Sequence, residues 1–124
     1  MRLVDANIMV NAFTNNTENE KCRRLLKEFF VTNTLCLVEA QHIIANITSD
    51  RSYAADCIRA ILRSNATIVP LDEPLLFEAL KQIGRYGLNI FDLIHYTTAK
   101  LHECAEIVSY DADFDMLDIE RIEP

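Results

Sequence analysis

The sequence predicts an α/β fold, a central and mostly parallel sheet flanked by helices, on three observations. Short β-prone runs alternate with longer stretches of helical period along the whole chain. Only 2 of its 124 residues are glycine, too few for an all-β barrel full of tight turns. The composition is 50% hydrophobic and 25% charged, which supports a real core and rules out intrinsic disorder. No linker, repeat or low-complexity segment interrupts residues 1–124, so one domain is expected.

The elements follow in order. Leu3-Val4 opens a strand that ends at Asp5-Ala6-Asn7, a turn or helix start. From Thr17 to Phe30, Cys22, Leu25, Leu26, Phe29 and Phe30 keep helical spacing. Thr34 to Val38 reads as a second, short strand, after which Glu39 opens a helix through Ile43, Ile44 and Ile47. Asp50 is placed to cap a helix striped by Ala54, Cys57, Ile58, Ile61 and Leu62. Thr67-Ile68-Val69 reads as a strand stopped by Pro70. Asp72 and Pro74 start another helix, whose Leu75, Leu76, Ala79, Leu80 and Ile83 are expected in the core. Gly84 and Gly87 bracket its end. Asn89 caps a helix with Ile94, Thr98 and Leu101, and Ile107-Val108 forms a strand before the acidic turn at Asp111 and Asp113. A last strand is expected near Glu120 to Ile122.

Composition narrows the function. With 12 basic and 19 acidic side chains the net charge is −7, which disfavours a sequence-independent duplex binder. A nuclease stays open, because metal ions can bring positive charge to the phosphate. Two glycines exclude a glycine-rich phosphate loop or dinucleotide fingerprint. Cys22, Cys36, Cys57 and Cys104 form no C-x-x-C pair and read as reduced core residues. No apolar run reaches the roughly 20 residues a bilayer requires. Met1-Arg2-Leu3-Val4-Asp5 meets an acid too early for a signal peptide. A cytoplasmic protein is expected.

The acids are distributed with a pattern that composition does not show. Asp5 ends the first strand, Glu39 ends the predicted second, and Asp111 follows the Ile107-Val108 strand. Asp92 lies in the first turn of the helix before it. In an open parallel sheet the carboxyl ends of the strands line one edge, where ligands bind. Four acids separated along the chain by 34, 53 and 19 residues could therefore meet at one point. Crowded carboxylates repel, and a hard divalent cation such as Mg²⁺ or Mn²⁺ removes that cost. Such a site suits phosphoryl transfer. Each acid also has a structural reading: Asp5 as a helix cap, Glu39 as a partner of a helix dipole, Asn89-x-x-Asp92 as a capping box, Asp111 as an Asx-turn. Capping does not explain why all four reach the same edge.

At these residues the sequence resembles a PIN domain, and within it the small stand-alone proteins of the VapC-type toxin group. The resemblance runs through Leu3-Val4-Asp5-Ala6-Asn7, Glu39-Ala-Gln-His-Ile43-Ile44, Phe91-Asp92-Leu-Ile-His95 and Val108-Ser109-Tyr110-Asp111-Ala112-Asp113-Phe114-Asp115. It closes on Arg121-Ile122-Glu123-Pro124. The sequence departs from the family pattern in Ser109, where threonine is commoner, and in the low overall charge. The resemblance implies a three-layer sandwich and Mg²⁺- or Mn²⁺-dependent endoribonuclease activity. It implies that Asp5, Glu39, Asp92 and Asp111 are the metal-binding catalytic acids, with Asp113 auxiliary. Asn7 and Ser109 would be hydrogen-bonding partners behind them. It further implies an RNA substrate, a small antitoxin, a homodimer and no membrane association. Asp5→Asn is expected to abolish cleavage and leave the fold intact or slightly more stable, by relieving repulsion.

Other readings remain open from sequence. Lys21, Arg23, Arg24 and Lys27, with Arg51, Arg59 and Arg63, could track an RNA backbone, although a solvated helix face is the commoner use of such charges. Leu25, Phe29 and Phe30 could form part of a dimer or antitoxin surface. Glu39-x-x-His42 and Asp92-x-x-His95 match half of a di-iron carboxylate pattern, which needs ligands inside long helices. His102-Glu103 lacks the second histidine of a zinc protease motif. A non-catalytic PIN-like module that binds a protein partner is the alternative from another class.

Overall fold

In the computed structural model, which describes residues 1–124, five strands of three residues form one sheet in the order β3-β2-β1-β4-β5. They are β1 (Arg2–Val4), β2 (Val31–Asn33), β3 (Thr67–Val69), β4 (Glu106–Val108) and β5 (Glu120–Ile122). Every neighbouring pair is parallel. The helices are α1 (Ala6–Phe13), α2 (Asn19–Leu25), α3 (Thr34–Thr48), α4 (Arg51–Leu62), α5 (Glu73–Leu80) and α6 (Ile90–Leu101), with a short 3-10 turn over Ala112–Met116. The chain builds outward from β1 to β3 on one side, then crosses to β4 on the other. That reversal creates a crevice beyond the carboxyl ends of β1 and β4.

Side-chain alternation makes the three layers. Val4 and Val108 face a core built with α1 to α4, around Ile8, Met9, Phe30 and Ile44. Leu3, Val31 and Ile107 face the opposite side, where Tyr96 and Ala99 of α6 meet Phe114. A sheet covered on both faces needs apolar residues at successive positions, and Leu3-Val4 and Ile107-Val108 supply them. A smaller cluster of Leu75, Ala79 and Ile94 joins α5 to α6. All four cysteines are buried and free. No helix is long and apolar enough to cross a membrane.

Several boundaries differ from the sequence expectation. Thr34–Val38 is not a strand but the first turns of α3; β2 is the preceding Val31–Asn33. The Asn33 side chain decides this, accepting a 2.8 Å hydrogen bond from the Cys36 N–H as an N-cap. Cys36, Leu37, Ala40 and Ile44 then fall on one buried helical face. The helix expected from Thr17 to Phe30 spans only Asn19–Leu25, and Phe29 is exposed while Leu25 and Phe30 are buried. The residues after Asp5 form a full helix, α1. Its last carbonyls are met by side chains: Asn19 donates to the carbonyls of Asn11, Ala12 and Thr14, and Asn16 to those of Asn11 and Thr14. Of the α5 stripe, Leu75 and Ala79 are buried, but Leu76, Leu80 and Ile83 are exposed. The helix stops at Leu80, and only its α6-facing side is covered.

Candidate metal centre

The crevice at the sheet switch is assembled by four elements. β1 delivers Asp5 at its end, where it is the N-cap of α1. Its Oδ1 accepts from the Ala6 N–H at 2.7 Å, and its Oδ2 from the Ser109 hydroxyl at 2.7 Å and the Asn7 amide at 3.3 Å. β4 delivers Ser109, whose Oγ also accepts from Asn7 Nδ2 and the Asp111 N–H, both at 3.0 Å. One donor and two acceptors exhaust a hydroxyl, so Ser109 ties the end of β1 to the acidic turn. Asn7 completes the tie by accepting from the Tyr110 N–H at 3.3 Å.

Asp92, Asp111 and Asp113 each place a carboxylate oxygen within 4.8 Å of the other two. Asp111 accepts from the Asp113 N–H at 2.9 Å, so its Asx-turn and its place in the cluster coexist. At the start of α6 the capping is done by Asn89, which accepts from the Asp92 N–H at 2.9 Å. The Asp92 carboxylate forms no reciprocal bond, so capping does not account for it. Glu39 comes from the second turn of α3 rather than from a strand end, a consequence of the shifted boundary. Its carboxylate reaches across to α6, accepting from His95 Nε2 at 2.8 Å.

The two groups sense each other. Burial, then the charge of Asp111, with Asp5 and Asp113 adding, push the Asp92 carboxyl up to about 6 against a lowering by His95. Burial also raises Asp5, helped by Glu39 and opposed by His95, Ser109 and the Ala6 N–H. None of the five acids is ion-paired with a lysine or arginine; the one basic neighbour is His95, 2.8 Å from Glu39 and 4.0 Å from Asp5. A set of hard oxygens with this unbalanced charge fits a hard divalent cation.

The sequence marks His95 only through the Asp92-x-x-His95 spacing, not as the partner of Glu39. Its ring is 1% exposed. Nδ1 lies 3.0 Å from the Asn33 amide, and Asn33 also donates to Thr98 Oγ1 at 3.0 Å. Burial disfavours charge on the ring, while Cys36, Glu39 and Asp5 outweigh it and raise the proton affinity well above that of an ordinary histidine. Asp5, Cys36 and His95 also lie within 4.8 Å of one another. The Cys36 sulfur, however, is 3.3 Å from Nδ1 and 3.8 Å from Nε2. Such near-equal distances put it over the ring face, away from the lone pair that a metal would share. The clue in the sequence was a histidine and two threonines on an otherwise apolar stretch of α6, all buried.

The remaining readings resolve by position. His42 is exposed and paired with Asn46 on its own helix, so the two acid-x-x-His pairs do not assemble a di-iron site. Lys21, Arg24 and Arg59 pair with Glu18, Glu20 and Asp56 three or four residues away, as a solvated face does.

Residues 2–120 match the family model described as PIN domain. No curated protein matches the chain by sequence. Among solved structures, the Mycobacterium tuberculosis VapC20 toxin, described as cleaving the sarcin-ricin loop, superposes with a TM-score of 0.83 at 14% identity over 100% of both chains. A toxin–antitoxin complex from Klebsiella pneumoniae gives 0.73 at 18% identity, covering 92% of this chain and 90% of the other. FitAcB from Neisseria gonorrhoeae gives 0.65 at 19% identity, covering 98% and 96%.

Proposed function

This chain belongs to the PIN domain family, and on that footing we propose that it is a Mg²⁺- or Mn²⁺-dependent endoribonuclease, the toxin of a toxin–antitoxin pair. The observation that carries the proposal is the gathering of Asp92, Asp111 and Asp113, close enough to Asp5 for its charge to help burial and Asp111 push the Asp92 carboxyl up to about 6, with His95 reaching both Asp5 and Glu39. Acids held this close destabilise an empty site and favour one that takes a cation.

Asp5, Glu39, Asp92 and Asp111 would hold the ion, and the exposed Asp113 would assist at the rim. A bound Mg²⁺ or Mn²⁺ would supply positive charge at the scissile phosphate and lower the pKa of water there. The chain's own groups provide the rigidity. Asp5 is pinned by Ser109, Asn7 and the Ala6 N–H, so its orientation is set before substrate arrives. Asp111 is fixed through its N–H by the same Ser109 hydroxyl. No side chain serves as the nucleophile.

The solved toxin–antitoxin assemblies of the same fold support a small antitoxin as partner. Exposed Phe29, Val38, Phe77 and Leu80 leave apolar surface for that contact and for a homodimer. Action on RNA in the cytoplasm completes the proposal. The test incubates single-stranded and structured RNAs with the protein in Mn²⁺, in EDTA, and with Asp111→Asn. Cleavage that requires the ion and disappears in the variant is expected; cleavage that persists in EDTA contradicts it.

A further inference from the structure

We propose that His95 is the positioning residue for Glu39, holding its carboxylate at the metal site through a fixed Nε2–H. The proposal rests on the reading of Glu39 as a metal ligand and adds how that ligand is held.

The hydrogen on Nε2 follows from a chain of partners that begins at a backbone donor. The Cys36 N–H can only donate, so the atom of Asn33 that it meets at 2.8 Å is the carbonyl oxygen. The other end of that amide is therefore NH₂, with two hydrogens to place. One goes to Thr98 Oγ1 at 3.0 Å, whose own hydrogen is spent on the Ile94 carbonyl at 2.7 Å. The other goes to His95 Nδ1 at 3.0 Å, which must accept. Neutral imidazole with a bare Nδ1 carries its hydrogen on Nε2. That hydrogen meets Glu39 Oε1 at 2.8 Å. A second proton would have to go on Nδ1 and would cost the bond from the Asn33 NH₂, but it would leave the Nε2–H and its contact with Glu39 in place.

The arrangement solves a local problem. Glu39 stands on α3 and the opposing acid Asp92 on α6, and a long glutamate side chain loses rotamer freedom when fixed. His95 is 1% exposed and Asn33 fully buried, so the donor cannot wander. The same asparagine that starts α3 thus also sets the tautomer that holds the acid in the helix's second turn. An outer partner of this kind typically alters metal affinity by 10–100-fold when removed.

Two amide substitutions separate the donor from mere polarity. In His95→Gln the side-chain NH₂ reaches the place of Nε2; in His95→Asn it stops at the place of Nδ1. Mn²⁺ affinity is measured by calorimetry on the whole chain, with circular dichroism as the check on folding. The expected result is near wild-type affinity for His95→Gln and a loss of about tenfold or more for His95→Asn. Equal affinity in the two variants, whether retained or lost, overturns the proposal and leaves the metal-site reading standing. A wild-type protein that takes up no Mn²⁺ overturns both. Should His95→Asn fail to fold, ¹⁵N NMR of the wild-type imidazole decides: hydrogen on Nε2 that shifts on Glu39→Gln is expected, and a bare Nε2 is fatal.

Discussion

The hydroxyl of Ser109 lies 2.7 Å from Oδ2 of Asp5, across 104 residues of sequence. That one bond ties the end of β1 to the residue after β4, and Asn7 Nδ2 donates to the same Oδ2 and to the Ser109 hydroxyl oxygen. Oδ1 meanwhile accepts from the Ala6 N–H. An amide at position 5 has only one oxygen, so in either orientation its NH₂ faces a donor. Asp5→Asn is therefore expected to abolish cleavage and to destabilise the fold by about 1–3 kcal/mol. This reverses the gain that relief of repulsion alone suggests. Urea denaturation of the metal-free protein measures it.

Ser109→Ala removes a fully buried hydroxyl that serves Asp5, Asn7 and the Asp111 N–H. A loss of about 1–3 kcal/mol is expected, from groups left unpaired in the interior, together with weaker Mn²⁺ binding. Denaturation midpoints and calorimetry on the same sample report the two effects.

Relief of repulsion belongs instead to Asp92. Its carboxyl is raised to about 6 by burial and by Asp111, so the folded state prefers the protonated acid. The sign follows: the stabilising contribution is full below the unfolded value near 3.8 and is lost as pH rises through about 6. In EDTA, Asp92→Asn is expected to melt higher than wild type at pH 7.5, with the gap closing as pH falls below 6. Thermal melts across that range check it, and the same variant is expected to lose cleavage.

Cation uptake must displace that proton. Mg²⁺ or Mn²⁺ is expected to raise the melting temperature more at pH 7.5 than at pH 5, and to release protons on binding at pH 6. Calorimetry in two buffers of different ionisation enthalpy gives the proton count. Identical enthalpies in both buffers would show that Asp92 is not involved.

Much of the frame was legible in the sequence because it rests on local rules. Asp50, Asp72 and Asn89 cap α4, α5 and α6 as their side chains predict, and paired apolar residues mark the central strands. The boundary at Thr34 was not, because β-prone residue types outvoted a single capping asparagine. The earlier start of α3 puts Glu39 in its second turn rather than at a strand end, yet the helix still carries it to His95 and Asp5. Asp5, Asp92 and Asp111 were legible as candidates because strand ends and helix starts converge in any parallel sheet. His95 was legible only as half of the Asp92-x-x-His95 pair: its actual partners Asn33 and Glu39 lie 62 and 56 residues away, and no local spacing encodes them. The outward-facing Leu76 and Leu80 escaped for a related reason, since helical period shows a face but not whether a neighbour covers it.

The most direct measurement is anomalous diffraction at the manganese edge from crystals of the protein soaked in Mn²⁺. The account predicts a peak between β1, α3, α6 and the turn after β4, with oxygens from among Asp5, Glu39, Asp92, Asp111 and Asp113 in its coordination sphere. Manganese bound elsewhere, or a crevice left empty at saturating Mn²⁺, contradicts it.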